Sequence, residues 1–96
     1  MADVTLSIEG TLIAVVYSDY KFTDEDGKTR EGTSIRVWLD RGPSSPPAEI
    51  AVPEARAGLA RELEKLGAGV PVICECEPVA RGNRVTFRLA AFSEGV

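Results

Sequence analysis

The side chains best suited to chemistry lie in two alternating runs, Ser34-Ile35-Arg36-Val37-Trp38 and Arg84-Val85-Thr86-Phe87-Arg88. Successive side chains of an extended chain point to opposite faces. Arg36 therefore shares a face with the single tryptophan, Trp38, and Arg84 and Arg88 share one with Thr86. Tyr17 and Lys21 fall on the outward parity late in the first apolar segment, while Lys28, Arg30 and Arg81 lie in turn-like stretches. A ring set among guanidinium groups offers stacking and charge-assisted hydrogen bonds together. That is chemistry for holding a ligand rather than for making or breaking its bonds.

Bond-making chemistry has little to draw on. The chain has no histidine, so no Ser-His or Cys-His pair can form, and a zinc site would lack its usual ligands. Cys74 and Cys76 are two apart in a β-rich run, which places both on one face in poor geometry for a disulfide; they are expected to be small core residues. Gly67-Ala68-Gly69 follows a helical segment instead of opening one, so it is not a phosphate-cradling loop. Asp24-Glu25-Asp26-Gly27 lacks the spaced acceptors and distal glutamate of an EF-hand and reads as a hairpin tip. The expectation is a protein that is not an enzyme and holds no metal or cofactor.

The elements that must position these residues follow from periodicity. The first 22 residues carry a strand over 4–22, with Val4, Leu6, Ile8, Leu12, Ala14 and Val16 on one parity and Gly10 as the expected bulge or bend. The polar stretch 23–32, with Asp-Gly at its centre, predicts a protruding loop. A second strand over 33–40 puts Ile35, Val37 and Leu39 inward. An irregular connection over 41–47 leads to a short strand over 48–52. Leu59, Leu63 and Leu66, with Ala55, form one stripe of a helix over 53–66, which opens on Pro53 and stops at Gly67. Strands over 70–77 and 84–92 follow, joined by the turn Ala80-Arg81-Gly82-Asn83, with Val72, Cys74, Cys76 and Val85, Phe87, Leu89 on their inner faces.

Ninety-six residues make one domain, and an apolar share of 44% with 27% charged residues is ordinary for a globular one. No apolar run is long enough to span a bilayer. The start of the chain has neither a basic segment nor an unbroken apolar one, so a cytoplasmic protein is expected. A net charge of −4 argues against a non-specific duplex binder, although affinity depends on where the positive charge lies. Here most acids fall in the first loop, the helix and the chain ends, away from the arginine-bearing strands.

The order β-β-β-α-β-β predicts an all-β domain with one helix: a five-stranded OB-fold-like Greek-key barrel over residues 1–96, the helix between strands three and four. An aromatic flanked by cations on such a sheet suits single-stranded nucleic acid, whose bases stack on rings while phosphates meet guanidinium groups. Two segments carry a resemblance: Gly27-Lys28-Thr29-Arg30-Glu31-Gly32-Thr33-Ser34, leading into an alternating strand, and Leu66-Gly67-Ala68-Gly69-Val70-Pro71-Val72. The pattern resembles the small OB-fold proteins that coat single-stranded DNA, both the bacterial SSB type and the helix-destabilising proteins of filamentous phage. The resemblance implies cooperative, largely sequence-independent coating of single strands by homo-oligomers. It designates Lys28, Arg30, Arg36, Trp38, Arg81, Arg84 and Arg88 as binding residues; Tyr17, or Tyr20, is expected to serve as a further stacking ring beside Trp38. The chain departs from the type in two ways: Asp24, Glu25 and Asp26 share the loop of Lys28 and Arg30, and no acidic tail follows Phe92. A composition rich in Ala, Arg, Gly and Pro fits a high-GC bacterial genome. Two alternatives stay open, an OB barrel used for protein interaction or oligomerisation and an RNA-binding OB module.

Overall fold

Alternating apolar side chains drive five stretches of this chain into strands, and every strand contributes its inner face to one core. The computed structural model describes residues 5–95, less the side chain of Arg81. The strands are β1 (Leu6–Thr23), β2 (Thr29–Asp40), β3 (Ala48–Val52), β4 (Pro71–Arg81) and β5 (Arg84–Glu94). Between β3 and β4 a 3-10 turn (Glu54–Arg56) runs into helix α1 (Ala57–Leu66). The expected element order holds, and the sheet closes in the sequence β1-β2-β3-β5-β4.

Closure depends on the length of β1. Its first part, Leu6 to Thr11, pairs antiparallel with β4, and from Thr11 to Thr23 it pairs with β2. Gly10 sits where the strand changes partner. A Cβ there would stand 2.8 Å from the Asp40 carbonyl oxygen and 3.0 Å from Leu39 Cβ, so only glycine lets the two strands meet. The irregularity expected at Gly10 falls instead between Leu12 and Ala14. On the far side, β3 and β5 run parallel and share the single bridge Ala51↔Arg88.

Inside lie Ile8 and Leu12 of β1, Ile35, Val37 and Leu39 of β2, Ile50 and Val52 of β3, Val72, Cys74 and Cys76 of β4, and Leu89 of β5. Each large aliphatic group buried this way contributes about 1.5–3 kcal/mol. Helix α1 covers one end of the barrel with Ala60 and Leu63, while Leu59 and Leu66 pack partly buried beside them; Ala55, placed on the same stripe by the sequence, is exposed. Arg56 Nη1 fastens this segment to the sheet, donating to Glu77 Oε1 at 2.6 Å and to the Leu89 carbonyl at 3.0 Å. Both cysteines are free and buried. Burial pushes their thiols up to about 11 for Cys74 and about 12 for Cys76, which keeps them protonated and unreactive at neutral pH.

Three expected boundaries change. Half of the polar stretch 23–32 is strand: β1 and β2 stay paired to Thr23↔Thr29, and the loop shrinks to 24–28. The helix opens with a 3-10 turn, so its α-helical part is shorter than periodicity implied. The last two strands also run longer, pairing to Arg81↔Arg84 across a two-residue turn. The two long hairpins draw the molecule out to 49 × 32 × 27 Å.

Candidate functional site

The register slip at Ile13 decides which residues of β1 reach the outer surface. An extra residue in one strand reverses the alternation beyond it. Leu12 faces inward opposite Leu39, yet after the slip it is Val15 that faces inward, opposite Val37, and Tyr17 stands opposite buried Ile35. Tyr17 therefore lies on the helix side of the ribbon, the face opposite to that of Arg36 and Trp38. Its hydroxyl pKa is raised, first by desolvation and then by Glu64 of α1. Lys21, opposite Glu31, is on that same side. The parity expected for both residues is thus corrected, because apolar groups on both faces of 12–17 hide the slip from the sequence.

The outer face of the β1–β2 ribbon takes other residues. Reading from the hairpin tip, the cross-strand pairs are Phe22↔Arg30, Tyr20↔Gly32, Ser18↔Ser34, Val16↔Arg36 and Ala14↔Trp38. Tyr20 and Phe22 stack, their ring centroids 6.0 Å apart and their planes 23° from parallel. Both rings are exposed, Tyr20 at 43% and Phe22 at 51%, whereas Trp38 is half-buried. Gly32 makes room for Tyr20, since a Cβ there would lie 2.6 Å from the tyrosine hydroxyl. Sequence reading missed Phe22 and gave Tyr20 a minor place; the signal was the parity beyond the bulge.

The same outer face continues across the barrel in one row, Val16↔Arg36↔Ala51↔Arg88. Ahead of the Ala51↔Arg88 bridge, the starts of β3 and β5 part and leave an open groove. Arg36 of β2, Arg84 and Arg88 of β5, and Arg41 of the β2–β3 connection line it, against one acid, Glu49 of β3. Val85, expected on the inner face of β5, is instead exposed at 59%, because it pairs with Ala80 in the part of the hairpin that runs past the core, and it gives the groove apolar surface. Arg41 is the second residue that sequence reading missed: it lies in an irregular connection whose path no periodicity predicts.

Charges near the groove are partly satisfied within the protein. Arg36 Nη1 meets Glu49 Oε1 at 2.6 Å. Arg88 stands opposite Glu77, a carboxylate held by Arg56 and depressed in pKa chiefly by that hydrogen bond. At the far end of the ribbon Asp24 organises the hairpin loop. Its Oδ1 accepts the backbone N–H groups of Asp26 and Lys28, each at 3.0 Å, and its Oδ2 accepts Arg30 Nε at 3.0 Å. The Arg30 guanidinium holds the Asp24 carboxyl below its ordinary pKa, with the Lys28 amide helping. This acid is spent on the loop, although Arg30 remains 65% exposed. Lys28 is exposed at the tip; Arg81 ends β4, and its side chain lies outside the described residues.

Among the described residues no group of histidine, cysteine, aspartate and glutamate side chains could hold a metal ion, and no helix is long and apolar enough to cross a membrane. The arrangement presents an arginine-lined groove joined to a ribbon of exposed rings. It offers phosphate-sized anions forked donors and offers flat groups a stacking surface.

No protein-family model matches the sequence, and comparison with curated proteins finds no match. Solved structures do resemble the fold. A crystal structure of the mitochondrial single-stranded DNA-binding protein of S. cerevisiae superposes with a TM-score of 0.59 at 13% identity, over 98% of this chain and 95% of that one. A second crystal form gives 0.57 at 10% identity, over 97% and 96%. Together with the strand order and the placement of the helix, these similarities establish the OB fold for this chain.

Proposed function

We propose that this protein binds single-stranded nucleic acid, DNA in the first place, across the outer face of the barrel and its β1–β2 ribbon, without catalysis. The observation that carries the reading is the groove itself: a chain of net charge −4 gathers four of its arginines around one opening, with a single glutamate among them. Phosphates would meet Arg36, Arg41, Arg84 and Arg88. Unpaired bases would stack on Tyr20 and Phe22 and against Trp38, with Arg30 and Lys28 beside them. Base stacking on such rings is worth about 1–3 kcal/mol per base. A duplex keeps its bases stacked on one another and offers these rings nothing, so the aromatic ribbon favours a single strand. That the solved structures of like fold are single-stranded DNA-binding proteins supports the same ligand.

The test uses the lone Trp38, which lies on the outer face one alternation step from Arg36. Oligothymidylate added at low salt is expected to quench its fluorescence, and raising the salt should reverse the quenching, because bound phosphates release and then recapture counterions. Absence of quenching, with no binding by sedimentation either, would reject the reading and leave the arginine groove as a surface for a protein partner.

A further inference from the structure

The acid inside the groove calls for an explanation of its own. Glu49 stands on β3 among Arg36, Arg41, Arg84 and Arg88, and its Oε1 lies 2.6 Å from Arg36 Nη1. It is not a buried residue compensating an internal charge: the two side chains are 40% and 53% exposed. Pairs this exposed are worth about 0–1 kcal/mol, too little to matter for the fold. Nor does Glu49 hold strands together, since β2 and β3 already pair from Ile35↔Val52 to Leu39↔Ala48. Its position has one chemical consequence. The guanidinium at the centre of the row Val16–Arg36–Ala51–Arg88 already has an oxyanion on it.

We infer that Glu49 is an internal competitor for phosphate, a carboxylate that occupies Arg36 and must be displaced when a strand enters the groove; this rests on the function proposed above. Displacement is feasible because the pair is weak and open to water. It costs the breaking of the pair and leaves a negative charge beside the incoming phosphate, so Glu49 lowers affinity and selects against ligands that offer only one or two phosphates. It also lowers the net counterion release, because the freed carboxylate gathers a cation as Arg36 surrenders it. Glu49 thereby sets how readily the protein lets go of a strand.

Glu49→Gln removes the charge and keeps the shape. Oligothymidylate binding, followed by fluorescence anisotropy across a salt series, is expected to tighten by about threefold to tenfold at low salt, the loss of one weak pair and one like charge. The salt slope should steepen by up to about 0.7, the value for one further phosphate neutralised on a single strand. Glu62→Gln, the same charge change on an exposed position of α1, serves as control and should leave affinity within about twofold. In an Arg36→Gln background, Glu49→Gln should lose most of its effect. If Glu49→Gln binds equally or more weakly while Arg84→Gln and Arg88→Gln both weaken binding, Glu49 orients Arg36 instead of competing for it, and this inference falls while the function stands. If none of these groove variants changes binding, the groove is not the site and both readings fall.

Discussion

Two hairpins leave this barrel, and they are built in opposite ways. The β4–β5 hairpin turns in two residues, with Gly82 at φ 58 in the first central place, a geometry glycine adopts without steric cost. Among the described residues no side-chain hydrogen bond is made at its two-residue turn, and it bears Arg84 and Arg88 on its outer face. The β1–β2 hairpin turns in five residues, with Gly27 at φ 79; two backbone hydrogen bonds, from Asp24 N–H to the Lys28 carbonyl and from Gly27 N–H to the Asp24 carbonyl, close its tip, and three further hydrogen bonds to the Asp24 carboxylate reinforce it. Its outer face bears the stacked rings of Tyr20 and Phe22, with Arg30 beside them and Arg36 nearer the barrel. The difference separates two tasks. A turn fixed by backbone geometry positions charge beside the barrel at any pH, whereas a side-chain-organised loop supports an aromatic ribbon that reaches about 20 Å beyond Arg36, six residues at the rise of a strand.

The sharpest way to break this division is to exchange what each hairpin contributes. Replacing Arg84 and Arg88 together by glutamine removes two donors of charge-assisted hydrogen bonds. It should weaken oligothymidylate binding by roughly 30-fold, about 2 kcal/mol for the two exposed contacts, and flatten the salt slope by about 1.4. Thermal stability should stay unchanged, since both side chains are exposed. Phe22→Ala, on the other ribbon, should weaken binding by about tenfold, the lower part of the stacking range, with no change in salt slope. Binding isotherms at four salt concentrations separate the two. If Phe22→Ala flattened the slope, or the arginine pair left it unaltered, the assignment of stacking to one hairpin and phosphate capture to the other would be wrong.

How much of this was legible in the sequence follows the same division. On β5 the residues Arg84, Thr86 and Arg88 alternate with Phe87 and Leu89, so the outer face can be read directly, while Val85, apolar and on the inner parity, is exposed because the hairpin outruns the core. Val72, Cys74 and Cys76 on β4 were as plain, and all three are buried. On β1 the run Leu12-Ile13-Ala14-Val15-Val16-Tyr17 is apolar on both faces, so the slip at Ile13 leaves no trace in the pattern. Unbroken alternation consequently puts Tyr17 on the arginine face and Tyr20 and Phe22 on the inner one, the reverse of what the slip produces. The ribbon from 29 to 32 was hidden for another reason. A two-stranded segment with no core beneath it needs no hydrophobic alternation, and Asp24, Glu25 and Asp26 looked like a free acidic loop. The groove depends on where β3 and β5 part and on the path of Arg41, both set by tertiary packing beyond any local signal.

The smallest effect tests the hairpin tips alone. Asp24 titrates below its ordinary value of 3.8, because the ionised form accepts Arg30 and two amides in the folded loop. A carboxylate whose pKa is lowered by folding contributes stability that is complete above its unfolded value and is lost as the pH falls through the lower, folded one. Acidification should therefore loosen the β1–β2 tip at a midpoint below 3.8, shifting the amide resonances of Asp26 and Lys28 in a nuclear magnetic resonance titration. The stretch from Ala80 to Arg84 holds no carboxylate, so the amides of Gly82 and Asn83 should stay still over the same range. Asp24→Asn should abolish the transition at the first tip and leave the second untouched. If both tips moved together, or if the first moved with a midpoint at or above 3.8, the loop would be held by its backbone alone, and the contrast between the two hairpins would be one of length and cargo rather than of what fixes each tip.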